Sequence, residues 1–167
     1  MRVEHEYWRG GALSYLAAWD VRRAKVFGRC EPKSGIAAFD GLVEEVMGQE
    51  PYRSARRVFW IVDNGSSHRG ERATTRLQQR WPNLVVVHLP LHASWLNQIE
   101  IYFSIVQRKL LTPNDFDFLE AVAERLYRFQ KRYEKIAKPF EWKFTREALS
   151  RMLEKLSYSD SELARSA

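Results

Sequence analysis

Two acids carry most of the chemical interest of this sequence. Asp63 follows the apolar run Val58–Val62 (VFWIV) and opens a polar loop, Asp63–Gly70 (DNGSSHRG). Glu100 stands 37 residues further on, within WLNQIEIYFSIVQRKLL. In open α/β sheets ligands gather at the carboxyl ends of strands, which is where Asp63 is expected. At about 100° per residue, Glu100 shares a helix face with Leu96, Phe103 and Gln107. A carboxylate on an apolar face is costly to bury alone and needs a partner. A divalent cation is a natural one, because Mg²⁺ takes one or two carboxylates plus waters and phosphate oxygens. Two acids from neighbouring elements therefore predict metal held over a phosphodiester, activating the attacking oxygen and stabilising the leaving one. The bland alternative for the loop is a turn, since Asp-Asn-Gly is good turn chemistry and Ser67 can cap the next helix.

The elements that must position these acids follow from the apolar pattern. Ala12–Val21 and Arg23–Glu31 read as a β-hairpin. Pro32, Ser34 and Gly35 break the chain, and Ser34 is placed to cap a helix over Ile36–Met47. Arg57–Val62 is compact and β-branched, a strand expected to be buried on both faces. A polar helix over about Gly70–Arg80 leads to a second buried strand, Leu84–Leu89. Strand, helix, strand in this order implies a parallel pair with a right-handed crossover. Three helices follow, over about Trp95–Leu111, Phe116–Ile136 and Thr145–Leu156, and then a polar tail. The order is β-β-α-β-α-β-α-α-α, an α/β fold whose four strands are expected in one mixed sheet.

Composition narrows the class. The 167 residues make one domain at about 150 per domain, and 45 % apolar side chains suffice for its core. A single cysteine, Cys30, excludes an internal disulfide and a zinc site built on several thiolates. No apolar run exceeds five residues, so no membrane-spanning helix is expected. The opening residues carry no apolar signal core, and the expected setting is the cytoplasm. With 27 Lys and Arg against 21 Asp and Glu the net charge is +6, a balance that favours polyanionic partners.

The residues also carry a resemblance. IVDNGSSH followed by LPLHASWLNQIEIYFSIVQRKLL, with the late PFEW segment Pro139–Trp142, resembles DDE transposases of the IS630 type in the Tc1/mariner superfamily. The likeness extends from about Tyr7 to Phe144. It implies an RNase H-like fold, a mixed sheet flanked by helices. It also implies DNA cleavage and strand transfer with Mg²⁺ or Mn²⁺, DNA as partner, a homodimer as a further option, and association with the nucleoid. Asp63 then resembles the second catalytic acid and Glu100 the third, both metal ligands.

In that family the first catalytic Asp precedes a Tyr-x-Arg-x-Gly segment, which corresponds here to Tyr7–Gly11, and only Glu4 and Glu6 come before it. The expectation is a catalytic domain over residues 1–158 without its first strand and first Asp, and a polar tail over 159–167. The family's helix-turn-helix region is likewise not found. The alternative function is a catalytically inactive remnant that keeps nonspecific DNA binding or self-association. Asp20, at the expected hairpin tip, reads as an exposed turn acid rather than a replacement ligand. Asn64 and Asn97 are candidates to orient the carboxylates. His68 and His92 are candidates to position the acids or touch phosphate, and Arg108 and Lys109 to touch phosphate. Ser66, Ser67 and His68 lack the G-x-S-x-G context of a hydrolase nucleophile. His88 and His92 are four apart but have Pro90 between them, which argues against zinc. Trp60, Trp81 and Trp142 read as core aromatics.

Overall fold

The computed structural model describes residues 11–91, 93–112, 116, 118–141, 145–147 and 150–151. Its first element is a hairpin. Strands β1 (Ser14–Asp20) and β2 (Lys25–Glu31) pair antiparallel, with Ser14 opposite Glu31 and Asp20 opposite Lys25. Helix α1 (Ile36–Met47) follows. Its N-cap is Gly35 at φ 150°, with no side-chain cap, so Ser34 does not take the expected role. That φ is one L side chains rarely adopt, and glycine tolerates it. Strand β3 (Val58–Val62), helix α2 (Gly70–Arg80) and strand β4 (Leu84–His88) complete the crossover, and β3 and β4 are parallel as expected. A 3-10 turn, Ser94–Leu96, precedes α3 (Ile99–Lys109), and α4 is Leu119–Glu134. The helix expected over Thr145–Leu156 lies largely outside the described residues, as does Trp142.

The fold is α/β, with small sheets flanked by helices, consistent with the RNase H-like expectation. One expectation is corrected. Among the described residues the four strands form two two-stranded sheets, β1–β2 and β3–β4, not one mixed sheet. A ladder needs direct backbone pairing, and β1 and β3 do not pair. Side chains hold the two ladders together instead. Leu16, Ala18 and Phe27 of the hairpin meet Trp60, Val62, Leu84 and Val86 of the parallel pair in one core around Phe39, Leu42, Val43, Val46 and Met47 of α1.

The outer faces differ. On β1–β2, the alternate residues Tyr15, Ala17, Trp19 and Val26 pack against Ile99, Tyr102 and Val106 of α3 and Leu126 of α4. On β3–β4, Phe59, Ile61 and Val87 are 62 %, 51 % and 40 % exposed. The expectation that these strands are buried on both faces is therefore corrected. The continuous apolar run made them look doubly covered, but α3 and α4 cover the other ladder.

The strand edges are treated unequally. On the β2 edge, Val26 N–H donates to Glu134 Oε1 (3.3 Å) and Cys30 N–H to the Tyr127 hydroxyl (2.9 Å), while Gln130 Nε2 donates to Val26 O (3.0 Å). Tyr127, Gln130 and Glu134 are spaced along one side of α4, so this helix clamps the edge of β2. On β4, Gln78 Nε2 donates to Leu84 O (3.4 Å). With β2 outward at Val26 and Cys30, the alternation of an antiparallel pair leaves Tyr15, Ala17 and Trp19 directed to the open edge of β1. In β3, Val58 N–H donates to Asn83 O and Leu89 N–H to Val62 O, so Phe59 and Ile61 direct their backbone groups to the other edge. Among the described residues, β1 and β3 each keep one open edge.

Candidate active site

Asp63 is the first residue after β3, at the carboxyl end of that strand. Its Oδ1 accepts two hydrogen bonds, from Gly65 N–H at 3.1 Å and from His68 Nε2 at 2.6 Å. A carboxylate accepts only, so His68 Nε2 carries the proton. Gly65 is required by this arrangement. A Cβ there would sit 2.8 Å from His68 Cε1 and 3.1 Å from Asp63 Oδ1.

His68 is held from several sides. Its ring packs on Phe39 of α1 at 4.5 Å between centroids. Its Nδ1 lies 3.0 Å from Ser67 Oγ, and its backbone carbonyl accepts from His88 Nε2 at 2.7 Å. Arg76 of α2 donates to the Ser67 carbonyl at 3.0 Å and binds Asp40 of α1 through two nitrogens, at 3.0 and 2.9 Å. Asn64 Nδ2 donates to Leu89 O at 2.8 Å, tying the loop to the end of β4. The His68 side chain is only 11 % exposed, whereas Asp63 is 47 % exposed. The loop is thus anchored, and its acid faces outward.

Glu100 is the second acid. It lies in the first turn of α3, where its N–H donates to Asn97 O at 3.0 Å and Ile99 N–H donates to Asn97 Oδ1 at 3.4 Å. Asn97 therefore starts the helix that carries the acid. Glu100 is exposed rather than set in the apolar face, because Ile99, Tyr102 and Val106 form that face. Among the described residues it has no hydrogen-bond or ion-pair partner. Burial and then the nearby Asp63 charge push its carboxyl above the usual range. The Asp63 charge thus reaches Glu100, so the acid that follows β3 and the acid of α3 lie within electrostatic range of each other.

A profile of the DDE superfamily endonucleases matches residues 1–123, a span that contains both acids. The chain belongs to that family. No curated protein and no solved structure matches it.

For a DDE superfamily endonuclease the donor set suits a hard divalent ion. Asp63 Oδ2 and the Glu100 carboxylate are oxygen donors without a partner among the described residues, the donor type that Mg²⁺ and Mn²⁺ take. No group of three His, Cys, Asp or Glu among the described residues is arranged to hold a metal. Asp20 does not supply a third acid. Its Oδ1 accepts from Arg22 and Arg23 N–H at 2.8 and 2.9 Å, and its Oδ2 from Tyr52 OH at 2.6 Å and Arg23 Nη1 at 3.2 Å. The Tyr52 carbonyl in turn accepts from Asn83 Nδ2, just before β4. Asp20 therefore sits beside the starts of β3 and β4, whereas Asp63 follows the end of β3. A five-residue strand separates those ends by about 16 Å.

The remaining candidates divide. His68 joins the site directly, and Asn64 and Asn97 shape the segments that carry the acids. His92 lies outside the described residues. Arg108 and Lys109 close α3, about 12–14 Å along the helix from Glu100. Arg108 Nε donates to Ser104 O at 3.2 Å. Ser67 does not cap α2, whose N-cap is Arg69. The Ser67, His68, Asp63 chain also runs opposite to a hydrolase triad, with the carboxylate on Nε2 and the hydroxyl on Nδ1. Sequence reasoning missed Ser67 as a partner of His68. The signal was its adjacency to a histidine whose other nitrogen faces an acid.

Proposed function

We propose that this chain is the catalytic domain of an IS630-type transposase of the Tc1/mariner superfamily, cutting DNA and joining its ends with Mg²⁺ or Mn²⁺. The convergence of Asp63 and Glu100 is the observation that supports this reading. Asp63 Oδ2 and the Glu100 carboxylate would hold the ion, and His68 fixes Asp63 through Oδ1. Bound there, the ion would supply Lewis-acid activation of a phosphodiester. Asn64 and Asn97 set the positions of the two acids. His92, Arg108, Lys109 and the +6 net charge serve phosphate contact, which makes DNA binding weak, sequence-independent and steeply salt-sensitive.

Among the described residues no third acid joins Asp63 and Glu100. The second reading, a remnant without chemistry, is favoured by the absence of a three-acid cluster among the described residues. Nicking of a labelled duplex bearing terminal repeats separates the two. Cutting with Mg²⁺ or Mn²⁺ that is lost in Asp63→Asn supports the first reading, and a folded chain that does not cut supports the remnant.

A further inference from the structure

Ser67 and His68 are joined to Asp63 in a way that the cutting reaction itself does not require. Both imidazole nitrogens are engaged, Nδ1 with Ser67 Oγ and Nε2 with Asp63 Oδ1. The ring is wedged against Phe39, and Arg76 and His88 hold the backbone carbonyls before and after the His68 Cα. Asp63 Oδ1 already accepts from Gly65 N–H and His68 Nε2–H, and Oδ2 accepts from no described residue. The carboxylate is therefore split into a protein-facing oxygen and an outward-facing one. A free carboxylate rotates and offers either oxygen, or both, to an ion. This one is arranged to offer one.

We infer that Ser67 and His68 form a positioning pair. The Ser67 hydroxyl donates to Nδ1 and fixes the neutral imidazole with its proton on Nε2. That proton pins Oδ1, so Asp63 binds a divalent ion through Oδ2 alone. The inference rests on the metal-binding reading of Asp63 and Glu100 and names what orients that site. Ser67, which no direct contact with the ion would identify, becomes a determinant of metal affinity.

Two measurements on the full chain test it. Two-bond ¹H–¹⁵N spectra of the imidazoles report which nitrogen of His68 carries the proton. The Nε2–H form is expected in the unsubstituted protein and a mixture of the two forms in Ser67→Ala. Mn²⁺ titration followed by electron paramagnetic resonance reports affinity. Partners that orient ligands typically cost 10–100-fold in metal affinity when removed. His68→Ala is expected within that range and Ser67→Ala at its lower end. His68→Gln, whose amide nitrogen can reach Oδ1, is expected to recover most of the loss. Circular dichroism checks that each variant folds.

An Nδ1–H form in the unsubstituted protein overturns the inference whatever the metal does. So does Mn²⁺ affinity unchanged in both Ser67→Ala and His68→Ala while Asp63→Asn abolishes binding. Equal Mn²⁺ binding in the unsubstituted protein and Asp63→Asn overturns the underlying metal site instead, and the inference with it.

Discussion

Asp63 and Glu100, 37 residues apart in the chain, lie close enough that the charge of the first adds to burial in holding the carboxyl of the second above its usual range. Replacing Asp63 by Asn removes one of those two causes. The Glu100 titration midpoint, followed by ¹³C NMR of its side-chain carboxyl, is expected to fall in Asp63→Asn without returning fully to the free value. An unchanged midpoint would mean that the acids do not share a site.

The same shift has a sign in stability. A carboxyl raised in the fold is disfavoured when ionised, so the cost is present above its folded pKa and gone below its unfolded one. Glu100→Gln is therefore expected to raise Tm at pH 7, with the gain shrinking as pH falls through the raised folded pKa and gone below about 4. A lower Tm at pH 7 would contradict the assignment of Glu100 as an unpaired acid.

Asp20 behaves in the opposite way. Burial pushes its carboxyl up, but hydrogen bonds from Tyr52 OH and from Arg23 and Arg22 outweigh that and hold it below the usual range. A depressed acid contributes stability that is present above the unfolded pKa and lost as pH falls through the folded one. Asp20→Ala is expected to cost about 1 kcal/mol near neutrality, since its Arg22 and Arg23 partners are solvent-exposed and only the Tyr52 hydroxyl is part-buried. Urea unfolding across pH should show that difference shrinking from about pH 4 downward. Mn²⁺ affinity should not change, and a loss of it would make Asp20 a ligand after all.

The clamp on β2 makes a local prediction. Tyr127→Phe removes the acceptor for Cys30 N–H, and Gln130→Ala removes the donor to Val26 O. Each is expected to cost about 1 kcal/mol. Amide exchange should quicken at Cys30 in the first variant, with little change in β4. Uniform quickening throughout the chain would mean global rather than edge unfolding.

The exposed face of β3–β4 predicts behaviour at high concentration. Phe59, Ile61 and Val87 form an apolar patch beside an open strand edge, a combination that promotes association. Ile61→Lys is expected to lower self-association in sedimentation velocity while leaving the fold intact. Unchanged association would place the sticky surface elsewhere.

Much of the architecture was legible because period and punctuation agree. Helix α1 runs over the expected Ile36–Met47, and the β3–α2–β4 crossover has the expected order and parallel sense. Asp63 at a strand end and Glu100 near a helix start were readable from neighbouring apolar runs. What a single chain does not display is which surface covers which. VFWIV is apolar at every position, yet only Trp60 and Val62 are buried, because cover depends on where α3 and α4 dock. The hydrogen bond from Ser67 to His68 and the α4 clamp on β2 were hidden for a related reason. They depend on side-chain directions and on contacts about 100 residues apart in the case of the clamp.

Asp63 and Glu100 belong to different parts of the molecule. Asp63 hangs from β3, whereas α3 carries Glu100 and packs through Tyr102 and Val106 on the hairpin β1–β2. Among the described residues the two ladders share no backbone pairing and meet through the side chains gathered around α1. The gap between the acids is thus a gauge of how one ladder is seated on the other. The ion proposed above, held by both acids, would work as a clasp across that seam, and coupling of this kind is reciprocal. Whatever seats the ladders more firmly would strengthen the grip on the ion by the same factor, and the ion would firm the seam in return.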